Sequence, residues 1–355
     1  MVFGARVWKT GIAVTLALYI STLLSFTPPV IAAVAAIFAM QPSIYRSWRY
    51  FLDQLKTNIL GAVLALLAGS YLSNNLIAIG MVCIIVIILC LRMGMEETIG
   101  LTLVTVVAVM EASGHWTFAV NRFLLCLIGI GCAFLINILF FPPKPKDQFE
   151  AQIQTVFNKI SLLLRTVISD EMKETVFRAE KDALFIALQG LADKYKLMEE
   201  EVKKLKRAAF GRKRQLVIYK QMLRTLYKGY EVLDAVEEHF FQAARTAETN
   251  VFFDHHLEKL IKFHEHALLK FEDKLKADSP MSQEMEAENE RFMVELIGRY
   301  QERPAGALRL SVVAAAIYDY GYQVARLDRI VDHDQSGDPE DKDAGEAILK
   351  KLGFK

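Results

Sequence analysis

The sequence predicts an all-α protein in two parts: a six-helix transmembrane bundle (residues 1–143) and then a cytoplasmic antiparallel helix bundle (144–331). Charged residues are few between positions 11 and 141 and frequent after Lys144, although the 355-residue chain as a whole is 53% hydrophobic and 23% charged. Consecutive apolar runs fill the first part, as expected of segments that cross a bilayer. No stretch alternates like a strand, and apolar residues in the second part recur every three or four positions, which is the helical period.

Six apolar runs are candidate spans: residues 11–26, 29–40, 59–72, 76–91, 99–110 and 118–141. Several are shorter than the roughly 20 residues that a straight span requires. The second lies between Pro29 and Pro42. Short, interrupted segments are tolerated where other protein covers their ends, and transporters often bind solutes there.

The basic residues of this part predict its orientation. They fall before the first run and in every second gap after it: Arg6, Lys9, Arg46, Arg49, Lys56, Arg92, Lys144 and Lys146. The intervening gaps carry none. The positive-inside rule therefore predicts a multi-pass protein of the cell membrane with both termini in the cytoplasm.

A faint internal repeat relates the two halves of the membrane part. Gln54, Gly61 and Ala65 match Arg122, Gly129 and Ala133 at a separation of 68 positions. Units of three spans would have opposite orientations, as in many secondary transporters. The match is short, so both a repeat and chance similarity stay open.

Two charged residues near the fifth and sixth runs are candidates for the transport path. Glu111 and Arg122 would lie at similar depth in a hairpin, near His115. An ionisable residue in a span indicates function by default, here an arginine that attracts anions and a glutamate that exchanges protons. A structural ion pair at the membrane edge is the interpretation that we favour from the sequence alone.

Gln41, Arg46 and Arg92 form the corresponding set on the cytoplasmic side. An anion leaving the cytoplasm would meet these positive charges first. Positive charge is expected on this side of any membrane protein, so the general rule explains it equally well.

Small residues recur four apart on two of the runs, and they predict a packing face or a dimer face, because small side chains let helix backbones approach closely. They are Gly61, Ala65, Gly69, Gly129 and Ala133.

The tail, residues 332–355, is predicted to be an acidic linker with a short helix near 345–352. Asp332, Asp334, Ser336 and Asp343 match part of a calcium-binding loop. Pro339 occupies a position where such a loop donates a backbone N–H, and no second loop accompanies it. A solvated acidic linker is therefore the favoured interpretation.

Other clusters point to no chemistry. His255, His256, His264 and His266 lack known metal-ligand spacing, and we expect a surface cluster. No nucleotide-binding, hydrolase or thiol-protease motif is present, which predicts a non-enzyme without a cofactor. The second part has no basic excess, which argues against nucleic-acid binding.

Four segments resemble the aromatic acid exporter family and, more broadly, the fusaric acid resistance type of membrane protein. They are GARVWKTGIAVT from Gly4, AAIFAMQPS from Ala35, NRFLLCLIG from Asn121 and NILFFPP from Asn137. The resemblance implies a single six-span unit with a helical C-terminal domain. Larger relatives carry two such units, which implies a homodimer here.

The resemblance implies an efflux transporter for organic anions such as aromatic carboxylic acids, in contact with the bilayer and driven by an ion gradient. A passive anion channel is the first alternative. The second is a membrane scaffold or sensor that acts through its cytoplasmic helices without transporting anything.

Overall fold

The computed structural model describes residues 5–71, 75–112, 116–140, 145–168, 172–204, 209–243, 246–275, 281–300 and 307–335. The chain divides into two compact units, Met1–Lys144 and Pro145–Lys355. All regular structure in the described ranges is helical, which confirms the predicted all-α class.

Six α-helices make up the described part of the first unit, with a single 3₁₀ turn at Glu96–Thr98 before the fifth. They are α1 (Ala5–Leu23), α2 (Val30–Phe38), α3 (Ile44–Tyr71), α4 (Leu76–Arg92), α5 (Ile99–Glu111) and α6 (Trp116–Leu139). Each overlaps one of the six apolar runs.

The third helix begins much earlier than its apolar run. It starts at Ile44 and not at position 59, so Arg46, Arg49 and Lys56 lie on a helix and not in a gap. The polar residues in this stretch lower its hydropathy, but several recur at helical spacing and are buried, so the helix continues through them.

Two of the described helices, α3 and α6, are long and apolar enough to cross a membrane, and α4 is apolar but has only 17 residues. Helix α4 exposes large apolar side chains, including Ile77 and Ile84. An apolar surface of this kind indicates contact with lipid or another protein. Six spans and a cytoplasmic second unit stay predictions.

Helices α2 and α6 pack at very close range. A Cβ atom added to Gly129 would lie within contact distance of the Ala32 carbonyl oxygen and 2.7 Å from the Ala35 Cβ. Only glycine fits there, because the obstacle includes backbone that no side-chain rotation can move.

We expect Gly129→Ala to destabilise the protein by roughly 1–3 kcal/mol, the usual cost of overpacking. Gly131→Ala is the matched control, because nothing lies within 4 Å of a Cβ at that position on the same helix. Thermal unfolding in detergent measures both. Equal melting temperatures for the two variants would contradict the close α2–α6 contact.

The second unit contains six further α-helices in its described residues: α7 (Pro145–Ile168), α8 (Glu174–Lys204), α9 (Ala209–Ala235), α10 (Ala247–Phe271), α11 (Met281–Tyr300) and α12 (Ala307–Gln335). A π-helical turn, Val236–Phe240, continues α9. One hydrophobic core joins them, with Phe149, Phe177 and Tyr320 fully buried.

The predicted acidic linker begins as helix. Asp332 and Asp334 lie in α12, where Asp332 pairs with Lys270 and Asp334 accepts from Arg214 at 2.8 Å. Their carboxylates are engaged by cations, which disfavours a calcium loop. Ser336, Asp343 and the predicted helix at 345–352 lie outside the described residues.

The expectation of a surface histidine cluster is wrong for two of its members. His256 and His264 are buried, whereas His255 is exposed. Both buried positions fall on the inward stripe of α10, and the sequence interpretation overlooked that spacing. His256 stacks on Phe292 with ring centroids 4.0 Å apart. His264 Nδ1 shares a 2.8 Å hydrogen bond with the Tyr320 hydroxyl.

Burial lowers the pKa of His256 to about 4 and that of His264 to about 3, both below the ordinary 6.5. Below pH 6.5 the unfolded chain binds protons that the folded chain does not. Stability is therefore complete above pH 6.5 and falls as the pH approaches the folded values. The loss at pH 5 is roughly 2 kcal/mol per histidine.

We expect His264→Gln to reduce the loss of stability between pH 7 and pH 5. Hydrogen exchange of α10 peptides in the full-length protein, corrected for intrinsic exchange rates, measures this loss of stability at each pH. His255→Gln, an exposed change on the same helix, is the control. If His264→Gln shows the same pH dependence of stability as the unmodified protein, then His264 does not contribute to that dependence.

Candidate functional site

A buried polar stripe runs along α3 through the otherwise apolar first unit. Six polar residues recur here at intervals of three or four, except that the last two are adjacent. They are Ser43, Ser47, Tyr50, Gln54, Thr57 and Asn58, and each is at most 3% exposed. The spacing puts them on one face of the helix, and burial directs that face toward the other helices. Buried polar groups in such a setting need partners inside the protein.

Helix α5 supplies those partners with threonine hydroxyls. Gln54 Nε2 donates to Thr102 Oγ1 at 3.2 Å, and Thr105 Oγ1 donates to Asn58 Oδ1 at 3.1 Å. Thr105 Oγ1 also lies 3.8 Å from Cys126 Sγ on α6. Three helices therefore contribute to one polar track, defined here as the α3 stripe with Thr102, Thr105 and Cys126.

Several polar atoms of this region are buried without a hydrogen-bond partner: the Tyr50 hydroxyl, Gln54 Oε1 and Arg122 Nε. Buried groups in folded proteins are nearly always paired, so unpaired groups near one another need an explanation. A polar solute that binds along the track would supply the missing partners.

Arg122 lies one helical turn before Cys126, at one end of the track. Its Nη2 donates to the Val104 carbonyl oxygen at 3.4 Å. The predicted partner Glu111 is the last residue of α5 and its side chain is exposed. His115 lies outside the described residues.

A second polar cluster, comprising Lys9, Asn137, Ser47 and the Gln41 carbonyl, lies at the other end of the track. Lys9 Nζ donates to Asn137 Oδ1 at 3.0 Å. Asn137 Nδ2 donates to Ser47 Oγ at 2.8 Å and to the Gln41 carbonyl oxygen at 3.2 Å. Lys9 is 6% exposed, although it was counted among the cytoplasmic charges from the sequence.

The other predicted path residues lie away from the track's buried face. Arg46 and Gln41 are half-buried near the start of α3. The backbone N–H of Arg46 donates to Ser43 Oγ at 3.1 Å. Arg92 is exposed in the last turn of α4, where its charge complements the helix dipole.

The small residues lie mostly inside the unit. Gly61, Ala65, Gly129 and Ala133 are buried, and Gly69 is partly exposed. The structure therefore places four of the five in helix packing within the chain.

The contacts of Gly61 and Gly129 are reciprocal. Gly61 of α3 faces Thr102 of α5, with 2.8 Å between an added Cβ and the threonine methyl. Gly129 of α6 faces Ala32 of α2. Gly129 follows Gly61 by 68 positions and Thr102 follows Ala32 by 70. The third helix of each half thus packs on the second helix of the other at corresponding positions.

Sequence reasoning identified Arg122 but missed Lys9, Tyr50, Asn58 and Thr105. One signal was available: polar residues repeat at 47, 50, 54, 57 and 58 inside a helical period, directly before an apolar run. No sequence pattern shows that Lys9 is buried, because that follows from its contact with Asn137, which lies 128 positions away.

Comparison with known proteins identifies two matching families. Residues 1–140 match the sequence profile described as aromatic acid exporter family member 1, and residues 99–224 match that of the fusaric acid resistance protein family. Residues 1–140 are therefore similar to the aromatic acid exporter family. The family resemblance seen in the sequence is thereby confirmed.

Relatives with similar sequences occur in bacteria. UPF0421 protein YgaE of Bacillus subtilis is 29% identical over 350 residues, covering 96% of this chain and 98% of that protein. UPF0421 protein OB2406 of Oceanobacillus iheyensis is 24% identical over 221 residues, or 57% of this chain and 63% of the relative. Similarity to an exporter family, together with the apolar helices, indicates a membrane protein with a role in efflux.

The unpaired oxygen of Gln54 gives this protein a testable property. We expect Gln54→Leu to leave the melting temperature unchanged or to raise it, because the change removes a buried acceptor that has no partner, worth about 1 kcal/mol. Thr102 keeps its hydrogen bond to the Thr98 carbonyl oxygen.

Asn137→Leu is the contrasting variant, since it removes three hydrogen bonds and leaves the buried Lys9 ammonium without its Asn137 partner. It should lower stability by roughly 3 kcal/mol. Thermal unfolding in detergent compares the two. If Gln54→Leu destabilises as much as Asn137→Leu, then Gln54 has a structural role.

Proposed function

We propose that this protein exports small organic anions, such as aromatic carboxylic acids, through the polar track of its first unit. The observation that carries the proposal is the buried α3 stripe with two unpaired polar atoms, the Tyr50 hydroxyl and Gln54 Oε1, together with the unpaired Nε of Arg122 at one end of the track. A guanidinium is suited to bind a carboxylate, because its planar N–H groups match the two carboxylate oxygens. The similarity to the exporter family supports efflux in general.

The reciprocal Gly61 and Gly129 contacts support an inverted repeat of three helices. Each half would then pack its third helix on the second helix of the other half. In transporters built from such repeats, the solute binds near the interface of the halves and rocking of one half exposes it to either side. Thr105 would lie at this interface, since it contacts Asn58 and Cys126, which are themselves 68 positions apart.

The proposal includes both termini in the cytoplasm, the second unit on the same side and a homodimer. The distribution of lysine and arginine between the apolar runs supports the orientation. The single set of six helices supports the dimer, since larger relatives are expected to carry two.

An ion gradient would drive export, and the proton is the ion that we propose. A passive anion channel is the second candidate, and one observation favours it. The buried polar residues described in the first unit include lysine, serine, threonine, asparagine and glutamine but no carboxylic acid. Glu111, the proposed proton-exchanging group, is exposed at the end of α5.

Export of radiolabelled benzoate from proteoliposomes, with and without a pH gradient, tests the proposal. Transport against a benzoate gradient that requires the pH gradient supports coupled export. Downhill flux that ignores the pH gradient supports the channel. If no aromatic carboxylate moves, the transport proposal is wrong, and a scaffold that acts through the second unit becomes the better interpretation.

We expect Arg122→Ala to abolish benzoate flux, because it removes the cation at one end of the track, whereas Arg122→Lys retains part of it. Lys56→Gln is the matched control, since Lys56 is an exposed cation of the same unit. Elution from size exclusion and melting temperature establish that each variant folds. Full flux through Arg122→Ala would exclude the arginine from the path.

A further inference from the structure

The two buried lysines of the second unit show how this chain neutralises a buried ammonium group. Lys270 is 4% exposed and pairs with Asp328 at 3.2 Å and with Asp332. Lys181 is 9% exposed and pairs with Asp234 and Glu237. Each therefore has two carboxylate partners, as the cost of burying a charge requires.

Lys9 of the first unit is equally buried, at 6% exposure, but its partner is neutral. Its Nζ donates to the Asn137 side-chain oxygen at 3.0 Å. In the part of the chain that the structure describes, no carboxylate lies within ion-pair distance of Nζ. An ammonium has three N–H donors, and the Asn137 contact uses one of them.

The Asn137 amide is fixed in the orientation that faces Lys9. Its Nδ2 donates to both Ser47 Oγ and the Gln41 carbonyl oxygen, so its Oδ1 is the atom left for the ammonium. An aspartate in its place would neutralise Lys9. The asparagine holds the lysine in position and leaves its positive charge uncompensated.

The cluster is continuous with the polar track. Ser47 lies on the α3 stripe, one turn before Tyr50, whose hydroxyl is buried and has no partner. From Ser47 to Asn58 the helix rises about 16 Å. Lys9 therefore lies at one end of the buried stripe, and Arg122 lies near the other.

We propose that the Lys9 ammonium binds the carboxylate of the exported solute at the end of the track opposite Arg122. The ligand class is a small organic carboxylate, held by charge-assisted hydrogen bonds from Lys9. This inference rests on the proposed function, and it assigns a second binding position to the same path.

Lys9→Gln, Lys9→Arg and Asn137→Asp test it in the full-length protein, with Lys56→Gln as the control. Benzoate is the probe. Two quantities are measured: benzoate flux in proteoliposomes, and the rise in melting temperature that benzoate causes in detergent, with chloride as the comparison anion.

Lys9→Gln should lower flux and apparent affinity about tenfold or more, the usual effect of losing one charge-assisted hydrogen bond, while Lys9→Arg retains most of both. Asn137→Asp is the decisive variant. Its carboxylate would pair with the Lys9 ammonium but could no longer donate to the Gln41 carbonyl oxygen, so the protein should still fold and yet lose benzoate flux.

Wild-type flux and benzoate stabilisation in Asn137→Asp would overturn the proposal and make Lys9 structural, as would wild-type values in Lys9→Gln. If Lys9→Gln fails to fold, the flux and benzoate stabilisation of Asn137→Asp and Lys9→Arg still decide whether Lys9 binds the carboxylate.

The proposed function can fail separately. If the unmodified protein moves no benzoate, transport is excluded, but benzoate stabilisation that Lys9→Gln abolishes still supports the anion site. Stabilisation by chloride that equals that by benzoate rejects the carboxylate assignment. If neither anion stabilises the unmodified protein, the site is overturned as well.

Discussion

The cost of burying a polar group without a partner governs the first unit. Its helices are otherwise apolar, so each buried polar group needs a partner within the protein, yet α3 and the residue before it carry six buried polar side chains. The threonines of α5 and the asparagine of α6 pair with three of them, Ser47, Gln54 and Asn58. The Tyr50 hydroxyl and Gln54 Oε1 have no hydrogen-bond partner, and unpaired buried groups of this kind are the basis of the proposed transport path.

The two halves of the first unit differ in the chemistry of their second helices. The buried face of α2 is rich in alanine, including Ala32, Ala35 and Ala36, and it packs on α6 without side-chain hydrogen bonds among the described contacts. The buried face of α5 carries Thr102 and Thr105. The polar track therefore follows one side of the bundle, where the short fifth helix contributes Thr102 and Thr105 and α2 contributes no polar side chain.

The sequence predicted the all-α class and the positions of the helices well, because both follow from local hydropathy and helical period. It failed where the answer depended on contacts between distant residues. The polar start of α3 was assigned to a gap, since its burial is due to α5 and α6 and not to its own composition. His256 and His264 were assigned to the surface because their cluster was considered without the stripe of α10. The burial of Lys9 depends on its contact with Asn137, which no local sequence pattern predicts.

The contacts at the two glycines differ in how easily the neighbouring atoms can move. At Gly129 the neighbouring atoms are backbone atoms of α2, and a main-chain carbonyl cannot rotate away. At Gly61 the neighbour is a threonine methyl and a valine methyl, both of which can change rotamer. A larger residue at position 61 would therefore meet side chains that can shift, whereas one at position 129 would meet main chain that cannot. The α3–α5 crossing, which carries the polar groups, thus tolerates a change in side-chain size better than the α2–α6 crossing.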